Sequence, residues 1–454
     1  MKEQDILALI QSRLGISELN DLQITALREV RLSTDAVIYS PTGSGKTIAF
    51  SIPVLKALKK HEPDKLQVVI IAPSRELVIQ IAEVLNSISA DHKLTAVYGG
   101  HSVEDETRSL SIEPTIIVGT PGRLLDHAKR GNVNLRNVRQ LVLDEFDKCL
   151  ELGFEDEMRK LLRLMPNLSR KILTSATVLS VLPSFVSLNQ PVKLDFLNLL
   201  EKPSQRITTW KVESEEKDKL AALRTLLYAI PQGKTLVFAN YRDAVERIYA
   251  NLKESNISAG IYHGALEQAD REKAIAMFNN GSYPILVSTD LGARGLDIKD
   301  VRNVIHYHLP VSKEAYIHRN GRTARVTNTG DVYVLTHVGD ELPEFVSIDQ
   351  TFALPENIGN TRIDGVNTTL YFKAGKKEKI SKGDIVGFIT NNSQLTASEI
   401  GVINLYDHYA LVAVPKEIAI SVLNHLVKAK IKGKRVRIEV ASADVRISRQ
   451  ANRR

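Results

Sequence analysis

Cysteine is almost absent: Cys149 is the single one in 454 residues. That excludes an internal disulfide framework and any cysteine-rich zinc site, and it fits a reducing, cytoplasmic setting. No apolar run approaches the roughly 18–20 residues needed to span a bilayer, so no membrane partner is expected. The opening residues, MKEQDILALI, place Glu3 and Asp5 where a secretory leader carries basic residues ahead of an apolar core. Export is therefore not expected. Disordered and fibrous classes are excluded by a composition that is 43% hydrophobic and 25% charged. What remains is a globular chain long enough for about three domains of roughly 100–200 residues each.

The net charge of +7 is unevenly placed. Residues 367–454 hold 16 Lys and Arg against 7 Asp and Glu, whereas the rest of the chain holds 44 against 46. A tail carrying all the excess positive charge is the electrostatic footprint of a polyanion binder, most often nucleic acid. A solubility effect is the plainer alternative.

Short β-branched runs alternate with helical patterns from about residue 35 to 340. AVIYS (36–40), VVIIAP (68–73), TIIVGT (115–120), LVLDE (141–145) and KILTS (171–175) read as strands. They are apolar without alternation, as parallel strands covered on both faces require. The pattern lapses near 196–206 and restarts with KTLVFAN (234–240), ISAGIYH (257–263), PILVSTD (284–290), VRNVIHYHLP (301–310) and DVYVLTH (331–337). This predicts two tandem α/β domains, 1–200 and 201–345, then a linker over 346–366 and a basic domain over 367–454. In the last domain the predicted order is strand 369–373, helix 381–391, strand 400–407, strand 409–415, helix 417–430 and strand 434–441. That βαββαβ order is the order of an RNA-recognition-motif-like α+β sandwich.

The chemistry begins at Ser40-Pro41-Thr42-Gly43-Ser44-Gly45-Lys46-Thr47, between a predicted strand and a predicted helix. Glycines there let backbone N–H groups approach phosphate oxygens at a helix N-terminus. Lys46 is expected on the β/γ-phosphates and the Thr47 hydroxyl on Mg²⁺, which makes ATP with Mg²⁺ the expected ligand. Ser40 stands where the general pattern has glycine. About a hundred residues on, LVLDEFD places Asp144 and Glu145 at the carboxyl end of a buried strand. Asp144 suits a magnesium role, and Glu145 suits positioning or deprotonating the attacking water.

With these two motifs in this order, the chain resembles a DEAD-box RNA helicase of superfamily two, over nearly all of residues 1–340. The resemblance implies two tandem RecA-like parallel-sheet domains and ATP-dependent RNA unwinding. It implies that Gln23 reads adenine, although Ile6 stands where the family carries an upstream aromatic. Arg75 in PSREL, Gly100 in Gly99-Gly100, and Thr120 and Arg123 in TPGR match segments that hold the nucleic-acid backbone. Asp144-Glu145-Phe146-Asp147 resembles the signature tetrad with Phe for Ala. Asp147 with Ser175 and Thr177 of Ser175-Ala176-Thr177 would then couple hydrolysis to strand separation. Further on, Gln268 and Arg271 after His263-Gly264 resemble an RNA-contacting segment, as does Thr289 of Ser288-Thr289-Asp290. Gly295 and Asp297 would face the nucleotide. His318 to Arg325 matches the arginine-finger motif with Ala324 replacing a glycine, so that Arg322 and Arg325 are the fingers and His318 a coupling residue.

The resemblance further implies that lysine, threonine and acids from one domain meet arginines from the other only when both close over ATP and RNA. An arginine finger is worth about 10³–10⁵ in rate. The tail resembles the DbpA-type RNA-binding domain of bacterial DEAD-box proteins, a domain type addressed to large-subunit ribosomal RNA. In it Tyr371 and Tyr409 fall at stacking positions, and Leu411 at a position usually aromatic. Lys376, Lys377 and Lys434 are expected on phosphates. The expected protein is a cytoplasmic, monomeric RNA helicase acting on structured RNA, with ribosome assembly as a setting. An ATP-gated RNA clamp or annealing chaperone is the rival, favoured by Phe146, and a DNA motor is a weaker one.

Overall fold

The computed structural model describes residues 2–41, 43–58, 65–89, 92–100, 103–179, 182–197, 207–290, 298, 301–323, 329–356 and 362–442. These fall into two compact units divided near residue 205.

The first unit is built on seven parallel strands: β1 (Ala36–Tyr39), β2 (Val68–Ile71), β3 (Leu94–Val97), β4 (Ile116–Gly119), β5 (Gln140–Leu143), β6 (Arg170–Ser175) and β7 (Val192–Asp195). Their spatial order is β3-β4-β2-β5-β6-β1-β7. Alternate residues of each strand enter different cores. Ile38, Ile70, Val118 and Val142 pack with the helix Lys46–Lys56 on one face. Val37, Ile71, Ile117 and Leu143 pack around Phe146 and Met158 on the other. Helices on both faces explain why these strands read as unbroken apolar runs.

The second unit repeats the plan: β8 (Ile207–Ser214), β9 (Lys234–Phe238), β10 (Ala259–Tyr262), β11 (Ile285–Ser288), β12 (Val301–His306), β13 (Gly330–His337) and β14 (Gln350–Thr351). These too are parallel, ordered β10-β11-β9-β12-β13-β8-β14. Subtracting seven from each label reproduces the first sheet, so the two units are topological copies. Strands β3, β7, β8 and β14 escape the sequence pattern because they are short or half-polar. Within 346–366, the span expected as a linker, β14 pairs with β8. There Phe352 also packs edge-on to Trp210 and Tyr333, and Ile363 is buried in the second core.

The basic tail forms β15 (Asn367–Phe372), β16 (Ile403–Leu405), β17 (Ala410–Pro415) and β18 (Ile438–Val440), antiparallel and ordered β16-β17-β15-β18. The helices Lys382–Asn392 and Ala419–Leu426 enclose a core of Leu370, Phe372, Ile385, Phe388, Val412 and Leu426. Thr369 points away from that core yet is buried. Its hydroxyl meets Asn280 Nδ2 at 2.8 Å and Ser282 Oγ at 2.7 Å, and Asn367 Nδ2 donates to the Asn280 carbonyl at 2.7 Å. The tail is thus seated on the loop that precedes β11.

Gly365 fixes this seat, because a Cβ there would lie 2.3 Å from the Ser282 carbonyl oxygen. Gly365→Ala is expected to destabilise the second unit by about 1–3 kcal/mol, the usual cost of overpacking. The checks are urea unfolding and limited proteolysis, with the tail released first.

Candidate functional site

In the first unit the phosphate loop leaves β1, the acidic pair leaves β5, and Ser175-Ala176-Thr177 leaves β6. These are three neighbouring strands, and each segment emerges at the carboxyl edge of the sheet. Ligands of open α/β sheets sit on that edge. Main-chain bonds seat the loops: Ser40 N–H donates to the Ser175 carbonyl at 3.0 Å, and Asp144 N–H to that of Ile71 at 2.8 Å. Ser40 has no left-handed backbone, so glycine is not required there, and its hydroxyl donates to Ser44 Oγ.

Lys46 opens the helix Lys46–Lys56, and its ammonium donates to the carbonyls of Ser40 (2.6 Å) and Pro41 (2.8 Å). Gly43 and Gly45 both take positive φ. At Gly45 a side chain would also have to displace the Gln23 amide, since a Cβ would fall 2.4 Å from Gln23 Nε2. Gln23 is buried, donates to the Gly45 carbonyl at 3.4 Å, and is held by a reciprocal capping box with Asn20, whose Nδ2 donates to the Ser44 carbonyl at 2.9 Å. Ile6 is packed into the core and offers no aromatic face.

Asp144 is 2% exposed, and burial pushes its carboxyl above the usual range. A hydrogen bond from Thr174 Oγ1 and the positive field of Lys46 oppose that rise. Glu145 is held in the left-handed region (φ 46°), with its N–H on Thr174 Oγ1 at 3.1 Å. Such a strained backbone at a functional position is maintained by its surroundings. Among the described residues no cluster of three His, Cys, Asp or Glu could hold a metal. Thr47 and Asp144 offer oxygen donors, the type that suits a hard cation such as Mg²⁺ sharing its shell with phosphate and water. The Cys149 thiol is buried and pushed well above its ordinary pKa, first by burial and then by the negative field of Glu145.

Phe146 turns into the core, fully buried, with its ring 6.4 Å from that of Phe185. Asp147 is left aimed at the β6 loop: its Oδ2 accepts from Ala176 N–H (3.2 Å) and Thr177 Oγ1 (3.0 Å). Ser175 Oγ closes the turn by donating to the Thr177 carbonyl at 2.6 Å.

The other half of the same edge carries the basic loops. Arg75 begins the helix after β2 and lies against Gly99, where a Cβ would come within 3.2 Å of its guanidinium. Gly100 follows β3 with φ 97°, and Thr120 sits at the N-terminal boundary of the helix after β4 with no capping bond from its side chain. Arg123 Nε donates to Glu106 Oε2 at 2.6 Å, and the ring of His127 meets the same oxygen at 2.7 Å. Glu106 is a holder that the sequence did not announce, because one acid on a polar helix reads as surface.

The second unit repeats this division. Gln268 and Arg271 lie on the helix Gln268–Asn279 after β10, and Thr289 follows β11. His318 and the buried Arg322 lie at and just past the end of the helix Lys313–Asn320 after β12. Arg319, 1% exposed, anchors that helix through Asp290, the His308 carbonyl (2.6 Å) and Asn240 (2.7 Å), over the Phe238 ring. Burial, reinforced by the Arg319 charge, drives His306 down to about 3, so it is neutral there. Thr42, Gly295, Asp297 and Arg325, with Ala324, lie outside the described residues. In the tail, Lys376, Lys377 and Lys434 are exposed; Tyr371 and Tyr409 are half-buried and stacked on each other at 5.5 Å.

Comparison with known proteins agrees with this fold. Residues 20–183 match the DEAD/DEAH box helicase family, 218–327 the helicase conserved C-terminal domain, and 369–440 the DbpA RNA binding domain. The ATP-dependent RNA helicase DbpA of Escherichia coli strain K12 is 31% identical over 444 residues, covering 94% of this chain and 96% of the relative. The chain belongs to the DEAD-box family of ATP-dependent RNA helicases. DbpA of Bacillus subtilis strain 168 is 29% identical over 473 residues, covering 96% and 98%. Among solved structures, Mss116p bound to ssRNA and AMP-PNP matches at TM-score 0.67 and 26% identity, over 77% of this chain and 78% of that one. S. cerevisiae Dbp5 bound to RNA and ADP BeF3 matches at 0.66 and 26%, over 73% and 87%. ATP and RNA are therefore the ligands of this helicase. No helix among the described residues is long and apolar enough to cross a membrane.

Two substitutions test the site. Because burial disfavours the Asp144 carboxylate and asparagine still accepts from Thr174, Asp144→Asn is expected to raise the nucleotide-free melting temperature while cutting ATPase by about 10²-fold or more. Phe146→Ala, which restores the family residue, is expected to cost about 3–5 kcal/mol by emptying the core, read by denaturant unfolding.

Proposed function

We propose that the chain is a monomeric, cytoplasmic helicase that uses Mg²⁺-ATP to open short duplexes in structured RNA, with ribosomal RNA during ribosome assembly as its substrate. The observation that carries this reading is the division of one sheet edge, made twice. A phosphate-suited loop leaves β1, carboxylates suited to magnesium and water leave β5, the coupling loop leaves β6, and groups suited to a nucleic-acid backbone leave β2, β3 and β4. The second unit follows the same pattern with Arg322 on one side and Gln268, Arg271 and Thr289 on the other.

In this reading Lys46 and the loop N–H groups bind the phosphates, Gln23 holds the base end, and Thr47 with Asp144 holds the magnesium. The magnesium, when bound, supplies neutralisation of phosphate charge. Glu145 orients the attacking water, and Arg322 and Arg325 meet the charge that develops in transfer. Turnover then needs groups from both units, and the RNA-contacting loops of both link it to RNA. The Asp147 bonds to Ala176 and Thr177 join the acidic motif to the loop assigned to strand separation, which supports unwinding over a passive clamp. Phe146, buried behind that link, leaves these bonds in place.

A fluorescent duplex with a short strand tests this directly. Strand release is expected with ATP and not without it, and ATP-dependent binding with no release would contradict it. The tail has its own signature. Replacing Lys376, Lys377 and Lys434 by alanine is expected to weaken binding to structured RNA and to flatten the log-log salt dependence by about 2–3, near 0.9 per lost phosphate contact. An unchanged slope would remove these lysines from the RNA interface.

A further inference from the structure

Tyr409 stands where an RNA-recognition-type sheet offers an aromatic ring to a base, but the structure gives it other partners. Its hydroxyl donates to Glu272 Oε2 at 2.6 Å. The other oxygen of that carboxylate accepts from Gln268 Nε2 at 3.1 Å. Glu272 therefore bridges the tail to the first turn of the helix that carries Gln268 and Arg271. The Tyr409 ring is stacked by Tyr406 at 4.5 Å and by Tyr371 at 5.5 Å, both tilted 21°. On β17 the outward Leu411 and Ala413 are fully buried, and the helix Gln268–Asn279 lies against that strand. This explains an aliphatic residue at 411, where an open stacking face would carry an aromatic one. Burial and the adjacent Glu272 charge push the Tyr409 phenol far above its ordinary pKa, so it remains a donor.

We propose that Tyr409 is a positioning residue that acts through Glu272 to hold Gln268, so that the seated tail sets the RNA grip of the second unit. The face formed by Tyr371 of β15 with Tyr406 and Tyr409 of the β16–β17 turn then serves the chain's own helix Gln268–Asn279 and not a stacked base. Glu272 without Tyr409 keeps the bond to Gln268 but loses the donor that orients its carboxylate. Tightening of RNA is thereby tied to the presence and seating of the tail. This rests on the reading of Gln268 and Arg271 as RNA contacts.

The test is RNA-stimulated ATPase of the full chain, titrated with single-stranded polyuridylate. Tyr409→Phe keeps the ring and removes the hydroxyl. It is expected to raise the half-saturating RNA concentration about five-fold with little change in the saturated rate, within the range of direct couplings. Glu272→Ala is expected to do the same, and the double variant no more than Glu272→Ala alone. Glu272→Gln, whose amide can serve both neighbours, is expected to stay within about two-fold of wild type. A base-stacking tyrosine would tolerate phenylalanine, so a Tyr409→Phe titration that overlays wild type overturns the proposal, as does strict additivity in the double variant. If RNA fails to stimulate the wild-type chain, the RNA-contact reading fails instead, before any variant is compared.

Discussion

A parallel sheet has one edge at which all its strands finish, and the activity of this chain depends on what is placed along that edge. Backbone amides of the phosphate loop, the acidic pair and the Ser175–Thr177 turn come together because β1, β5 and β6 are hydrogen-bonded neighbours, not because they are close in sequence. The buried Asp144 shows the energetic consequence. Its carboxylate is desolvated and held by Thr174 and by the field of Lys46, a poor arrangement for an empty protein and, in the proposed reading, a ready one for a cation. The left-handed Glu145 belongs to the same compromise, since stability is given up where charge must be presented.

The second unit reuses the architecture for arginines. Arg319 is not a free cation awaiting phosphate; it is buried and multiply bonded, and it fixes the helix whose end carries Arg322. The neutral His306 beside it belongs to the same buried network. The tail adds a third element, seated on the second unit through Asn280, Ser282, Asn367 and Thr369. Its lysines face solvent, while much of its outer sheet face does not.

Much of this was legible in the sequence, and the gaps have physical causes. The phosphate loop, the acidic tetrad and the βαββαβ tail declare themselves through glycine placement, apolar runs and element order. Edge strands such as β3 and β7 carry half-polar alternation and look like loops, and β14 is two residues long. The holders were the least visible: Thr174, Asn20, Glu106 and Glu272 are ordinary polar residues whose roles exist only once strands and helices are adjacent. Phe146 illustrates the reverse case. It departs from the family pattern in sequence, yet it packs away from the Asp147 link. Tyr409 fits a pattern in sequence and is committed to a different partner in space.

The most direct measurement is steady-state ATP hydrolysis by the intact chain with and without RNA, alongside an Arg322→Ala variant. The account predicts slow turnover alone, a large increase with RNA, and loss of that increase in the variant by about 10³-fold or more. Equal turnover without RNA, or a variant that keeps its RNA-stimulated rate, would contradict it.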